Sequence, residues 1–271
     1  MTQEDWLRSH PYLHPVADLH AQVNVATAEV LSSKIGTVRW DTYLNDFLAG
    51  VPLLRNAAVP FDFAPAEKMT RLLVERLASK PLPEKLTRQL QVLQAELQSS
   101  SESSTSVIRW LFDEDLLDTS CAGLLRYLGW AVMADYLEPL VDAFDTWREG
   151  ERWLRTYCPT CGSLPAMAQL AGTDPARTRF LSCGCCRTRW QYRRLGCPFC
   201  ENQDDRRLGI LIFEAEGGLR IDYCESCKGY LKTYCGQGNE KVLLADWTSM
   251  HLDFIARDRG FNRLATSLYE L

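Results

Sequence analysis

Four copies of C-x-x-C punctuate the second half of the chain, at Cys158/Cys161, Cys183/Cys186, Cys197/Cys200 and Cys224/Cys227. One such turn presents only two sulfurs to an ion, so a tetrahedral thiolate site needs two of them. The 21 residues between Cys161 and Cys183, and the 23 between Cys200 and Cys224, suit the hairpin of a zinc ribbon. The 10 residues between Cys186 and Cys197 suit a connector. Neighbouring pairs therefore predict two tandem ribbons, with Cys158, Cys161, Cys183 and Cys186 around one ion and Cys197, Cys200, Cys224 and Cys227 around a second. A cross-braced pairing, first with third and second with fourth, also obeys tetrahedral coordination and stays open on spacing alone. So does the choice between iron and zinc, because a rubredoxin and a zinc ribbon share this ligand set.

Other uses of the cysteines fit less well. A thioredoxin-like pair opens a helix within a βαβ unit, and that context surrounds none of the four. The common iron–sulfur spacings place three cysteines close together, which this chain does not do. Of 11 cysteines, three fall outside the pairs. Cys121 reads as a small core residue and Cys235 as a buried or reactive thiol. Cys185 sits inside its knuckle, either competing as a ligand or facing solvent. A ribbon of roughly 30 to 40 residues buries too little surface to fold alone, so about 10 kcal/mol of metal binding becomes folding free energy.

Ahead of residue 150 the spacing is helical. Met69, Leu72, Leu73 and Leu77 share one face, as do Leu86, Leu90, Leu93 and Leu97. Two prolines in Ser79–Lys85 separate these helices, and the serine-rich run Gln98–Ser106 reads as a loop. Leu125, Leu128, Val132 and Tyr136 mark a further helix that Pro139 ends or kinks before Leu140, Val141 and Phe144. Past Tyr157 the apolar runs become strand-like, with Gly217 and Gly218 set to turn one strand into the next. Leu244, Trp247, His251, Phe254 and Ile255 predict one last helix, stopped by Gly260.

The expected fold is thus α+β: an all-α domain over 1–150, metal ribbons over 151–195 and 196–238, and a C-terminal helix over 239–271. With 46% hydrophobic residues the chain can bury a core, and its net charge of −5 argues against a nucleic-acid or membrane-surface binder. No window approaches the ~18 to 20 apolar residues of a membrane span, and the acidic start MTQEDWLRSH lacks the apolar core of a secretion signal. A cytoplasmic protein is expected, where thiols stay reduced and clustered cysteines bind metal.

No phosphate loop, serine elbow or paired-acid motif is present, so the chain reads as a non-enzyme. His10, His14 and His20 carry no accompanying carboxylate pattern and read as surface or capping residues. Residues 151–200 hold eight arginines (Arg152, Arg155, Arg177, Arg179, Arg187, Arg189, Arg193 and Arg194) against two acidic residues. A solvated face balancing the thiolates explains this, with an anionic partner as the alternative. Among the interleaved aromatics and arginines, Trp153, Tyr157, Trp190, Tyr192, Arg193 and Tyr230 are the candidates for meeting a partner.

The runs WREGERWLRTYCPTCGSLP, LSCGCCRTRWQYRRLGCPFCEN, YCESCKGYLKTY and LDFIARDRGFNR resemble, in that order, the formate dehydrogenase accessory protein family, FdhE. The resemblance spans about residues 147–265. It implies a cytoplasmic, non-enzymatic maturation factor with a helical domain and two rubredoxin-like ribbons. Its partner would be the immature catalytic subunit of a formate dehydrogenase, and the eight paired cysteines would carry the metal-ligand role. CGCC departs from the family's usual second knuckle by placing Cys185 between the ligands. The rival functions are an iron-loaded redox partner of that subunit and, behind it, a nucleic-acid-binding ribbon. A homodimer is compatible with the sequence.

Overall fold

Helical spacing in the first half becomes seven α-helices among the residues described in this computed structural model, which are 1–30, 38–56, 61–99, 107–112, 119–148, 153–173, 176–236 and 241–269. They are α1 (Gln3–Ser9), α2 (His14–Val30), α3 (Trp40–Ala49), α4 (Ala64–Ala78), α5 (Glu84–Ser99), α6 (Val107–Trp110) and α7 (Ala122–Trp147). The leucine stripes of α4 and α5 face each other, burying Leu73 and Leu77 against Leu90, Leu93 and Leu97. Burial on α7 runs around its circumference, with Leu125, Leu128, Val132 and Tyr136 on the predicted side and Trp130, Met133 and Leu137 elsewhere. A helix apolar all round belongs at the centre of its bundle. α7 continues through Pro139 for 26 residues. Most of the serine-rich run, 100–106, lies outside the described residues.

Two compact units emerge. One comprises Met1–His14, Arg39–Val59 and Asp145–Ser267, the other Pro15–Val38, Pro60–Phe144 and Leu268–Leu271. The helical stretch 1–150 thus contributes to both units. Residues 149–152, which include Arg152, lie outside the described residues.

The cysteine-rich unit is built on one mixed sheet. Its strands are β1 (Pro165–Ala171), β2 (Thr178–Cys183), β3 (Arg189–Tyr192), β4 (Leu208–Ile212), β5 (Leu219–Cys224), β6 (Gly229–Cys235) and β7 (Asn262–Arg263). Their order is β3-β2-β1-β6-β5-β4, with β7 also paired to β6. β1 to β3 form one antiparallel ribbon and β4 to β6 another. A parallel pairing of β1 with β6, from Met167 opposite Lys232 to Leu170 opposite Cys235, fuses them into a single surface. Both central strands are buried along all but their last residue, the expected pattern for strands covered on two faces. The β4–β5 turn uses Gly217 and Gly218 at φ 57° and 94°, and a Cβ at Gly218 would come 2.9 Å from the Cys235 carbonyl oxygen.

Past Lys241 the structure corrects the sequence reading. The expected continuous helix is broken into α8 (Lys241–Leu244), a 3-10 turn (Asp246–Ser249) and α9 (Met250–Asp258). The hydroxyls of Thr248 and Ser249 donate to the carbonyls of Ala245 and Asp246, offering the backbone a turn in place of a helix. Phe254 is 60% exposed, and the buried side is Trp247, Leu252, Asp253 and Ala256. No helix among the described residues is long and apolar enough to cross a membrane.

Candidate metal centres

Each C-x-x-C folds as a knuckle whose second cysteine is followed by a residue in the left-handed region: Gly162, Arg187, Glu201 and Lys228, at φ 84°, 62°, 58° and 57°. This conformation turns the backbone back across the pair, so that amide hydrogens point at sulfur. The N–H groups of Cys185, Phe199 and Gly229 lie 3.4 Å from the sulfurs of Cys183, Cys197 and Cys227 respectively. Three of the four positions are not glycine, and an L-residue held there costs about 1–2 kcal/mol. Strain of this kind persists only where the surroundings enforce it.

The first and second knuckles bring Cys158, Cys161, Cys183 and Cys186 together, and the third and fourth bring Cys197, Cys200, Cys224 and Cys227 together. Within each set all sulfurs lie within 4.8 Å of one another. The Cys158–Cys186 and Cys161–Cys183 sulfurs are 3.5 and 3.4 Å apart, and those of Cys197–Cys227 and Cys200–Cys224 are 3.6 and 3.7 Å apart. A metal–sulfur distance of about 2.3 Å in a tetrahedron demands about 3.8 Å between sulfurs. Spacing, donor type and the amide hydrogen bonds all fit a thiolate-bound ion. The grouping follows the sequential pairing, and the cross-braced one is not formed.

The two sets differ in exposure. All four cysteines of the first are buried, whereas in the second Cys200 is exposed and Cys227 half-buried. The difference arises from residues 40–54. Phe47 of α3 packs on Trp153, whose indole donates to the Tyr157 carbonyl at 2.7 Å. Tyr157 in turn donates to the Gly50 carbonyl at 2.7 Å. The amides of Leu53 and Leu54 donate to the carbonyls of Pro159 and Thr160 inside the first knuckle, at 2.8 and 2.9 Å. Thr188 adds a hydroxyl 3.2 Å from the Cys186 sulfur and 2.7 Å from Thr160 Oγ1. In this buried set, burial pushes the Cys183 and Cys186 thiols up. At Cys161 burial also pushes upward, but hydrogen bonds from the neighbouring cysteines outweigh it and hold that thiol well down. At Cys224 backbone hydrogen bonds from Cys227 and Ser226 outweigh burial and bring the thiol to about 7.

The remaining cysteines stay outside both sets. Cys185 is buried within the second knuckle and contributes its amide, and Cys121 is buried with its sulfur 3.5 Å from the Gln89 carbonyl. Four of the six candidate partner residues are interior and unavailable to a partner: Trp153, Trp190, Tyr192 and Tyr230. Small ribbons have little other core, and these rings supply it. Trp190 donates to the Arg155 carbonyl at 3.1 Å, and Tyr230 donates to Asp253 Oδ1 at 2.7 Å. Tyr157 and Arg193 are half-buried. Arg179 and Arg189 also turn inward. Arg179 donates to the Gly196 carbonyl at 2.9 Å and lies 3.7 Å from Asp222, and Arg189 stacks on Phe180 with its guanidinium carbon 4.2 Å from the ring centre.

Two clusters escaped the sequence reading. Lys232, in the middle of β6, is 1% exposed and bridges Asp246 and Asp253 at 2.7 and 2.8 Å, while Arg263 meets the same two carboxylates at 2.7 and 3.3 Å. A lysine amid the buried run GYLKTYC was the available signal. The second cluster corrects the expectation for His10, which is buried, with Glu216 and His251 beside it. His14 is exposed, and His20 lies 3.2 Å from the Tyr127 hydroxyl.

Fold and site together define a protein with two four-cysteine, zinc-ribbon-like centres on one sheet, together with a separate helical unit. The family described as FdhE, central domain, matches residues 157–194. An FdhE homolog of Aquifex aeolicus is 34% identical over 134 residues, covering 48% of this chain and 47% of the relative. The FdhE protein of Salmonella choleraesuis is 28% identical over 208 residues, covering 73% and 64%. The crystal structure of the FdhE protein from Pseudomonas aeruginosa shares the fold with a TM-score of 0.61 and 22% identity, over 95% of this chain and 88% of that one. In sequence the chain is similar to FdhE proteins, and it shares their fold. It spans about half the length of the Aquifex relative and less than two thirds of the Salmonella one.

Proposed function

We propose that each cysteine set binds one iron or zinc ion and that the protein is a cytoplasmic, non-enzymatic maturation factor for a formate dehydrogenase. In this reading the ions hold two ribbon modules, over about 151–195 and 196–238, as one rigid sheet that docks the immature catalytic chain. The observation that carries it is the convergence of eight cysteines into two tetrahedral sets on a shared sheet. The docking face lies at the second set, where a hollow lined by Leu195, Phe199, Leu208 and Ile210 adjoins Cys197 and Cys224. Leu195, Ile210 and Ile212 are exposed there, in contrast to the interior rings. Tyr157 and Arg193 remain candidate contacts.

Size-exclusion chromatography with a formate dehydrogenase catalytic subunit, prepared with and without its cofactor, tests this. Co-elution with the cofactor-free chain, lost on Leu195→Asp with Ile210→Asp, is expected. Equal binding of both forms would refute a maturation checkpoint. Exposure of Cys200 favours a second reading, in which an iron-loaded second set exchanges electrons with the same partner. Function that survives replacement of iron by zinc would exclude that reading.

A further inference from the structure

Outside the cysteine sets, three ligand-type side chains converge where α1, the β4–β5 turn and α9 meet. His10 follows α1, Glu216 sits in the turn, and His251 lies in the first turn of α9. Glu216 Oε2 is 3.2 Å from His10 Nε2 and 2.8 Å from His251 Nε2, and the candidate ligand atoms all lie within 4.8 Å of one another. All three side chains are at most 15% exposed.

The orientation of His10 is the informative part. Its ring stacks on Trp6 at 4.0 Å, and its Nδ1 is 3.0 Å from the Trp6 carbonyl oxygen. A carbonyl can only accept, so Nδ1 carries a hydrogen, and Nε2 needs a proton or another cation between it and the carboxylate oxygen. Two bare acceptors 3.2 Å apart repel, and either a proton or a metal ion shared between them removes the conflict. A backbone carbonyl on the far nitrogen is also the usual way a metal-binding histidine is oriented. The far nitrogen of His251, Nδ1, is buried and has no hydrogen-bond partner among the described residues, so without a metal the hydrogen sits on Nε2 and is donated to Glu216. A cation at Nε2 would displace that hydrogen and take its place beside the carboxylate. Tyr12 packs edge-on against both imidazoles, 5.8 Å from each, and limits how far they can part.

We propose that His10, Glu216 and His251 form a third metal site, for a divalent first-row transition ion such as zinc, separate from the cysteine sets. Metal–nitrogen and metal–oxygen bonds of about 2.0–2.2 Å in a tetrahedron place ligand atoms about 3.4 Å apart, within a few tenths of an ångström of the His10 contact and about half an ångström beyond the His251 contact. Two imidazoles and one carboxylate suit zinc, iron or nickel and not magnesium or calcium, which require mostly oxygen ligands. Three protein ligands leave a coordination position for water or a partner's side chain. The ion would pin the N-terminal helix to the turn of the second ribbon.

The test is titration of the full-length protein, carrying its cysteine-bound metal, with cobalt(II). Cobalt bound by nitrogen and oxygen shows visible d–d bands without the intense near-ultraviolet charge-transfer bands of cobalt thiolate. The third site is thus distinguishable from the cysteine sets even if those prove to bind no metal. One added equivalent is expected at micromolar or tighter affinity, weakened at least 100-fold by Glu216→Gln and by His251→Gln, with unchanged circular dichroism. Should either variant unfold, imidazole nitrogen NMR of the wild-type chain decides, since zinc must shift Nε2 of both His10 and His251. Absence of an equivalent up to millimolar cobalt, retention of it in both folded variants, or imidazole signals unmoved by zinc would overturn the proposal.

Discussion

Replacing Lys232 by methionine tests the buried charge network that fastens α9 to the sheet. Methionine keeps the length of the stem and removes the ammonium, leaving Asp246 and Asp253 to share Arg263. The ammonium now lies 2.7 and 2.8 Å from the two carboxylates and also donates to the Asp246 carbonyl at 3.0 Å. Removing one partner of a buried ion pair costs about 3–5 kcal/mol, because the other charge stays buried and uncompensated. The Asp246 carboxyl points to the same scale. Burial pushes it upward, but Lys232 and Arg263 outweigh burial and hold it at about 2, below its ordinary 3.8. That difference corresponds to roughly 2–3 kcal/mol. A depressed carboxylate stabilises the fold above its ordinary value and loses that contribution only as pH falls toward 2. The deficit of Lys232→Met should therefore be flat between pH 5 and pH 8. Urea unfolding of the metal-loaded protein, followed by circular dichroism, measures it. Lys232→Met with Asp253→Asn restores charge balance and should recover at least half of the loss. A deficit below about 1 kcal/mol at pH 7, or no recovery in the double variant, would refute the reasoning.

If the cysteine sets bind metal as proposed, strong chelation should unfold the ribbons, residues 157–236, before the unit formed by α4, α5 and α7, because metal binding would then supply the ribbons' folding free energy. Limited proteolysis read by mass spectrometry would show cleavage confined at first to the ribbons. Arg187→Gly relieves a left-handed conformation on an exposed residue and should raise stability by up to about 1 kcal/mol in the same urea assay. Trp190→Ala should cost about 3–5 kcal/mol as a core truncation. It should not act by weakening a partner contact while stability is kept.

The knuckles were legible because each is local. Four residues and a following left-handed turn bring two sulfurs together whatever the rest of the chain does, and the hairpin lengths then select the partner knuckle. α4 and α5 were legible for a similar reason, since one stripe of leucines every three to four residues has one good burial solution. The parallel pairing of β1 with β6 was not, because PAMAQLA and GYLKTYC lack alternation and pair across more than sixty residues. The single C-terminal helix failed because Thr248 and Ser249 bond back to the chain and Asp253 is drawn inward by Lys232 and Arg263. The aromatic rings were misread because composition tells neither which rings a thin sheet must bury nor which it can spare. His10 and Glu216 lie 206 positions apart, and no local pattern announces their meeting.

The central claim is two separate thiolate-bound ions on one sheet, and metal content per folded chain measures it most directly. Elemental analysis of protein purified under reducing conditions should give two cysteine-bound ions per chain, with one lost in Cys158→Ser and one in Cys224→Ser. Cobalt-thiolate absorption should halve in each variant. Cysteine-bound metal absent from the folded wild type, or lost entirely from both variants while their circular dichroism is retained, would contradict the account.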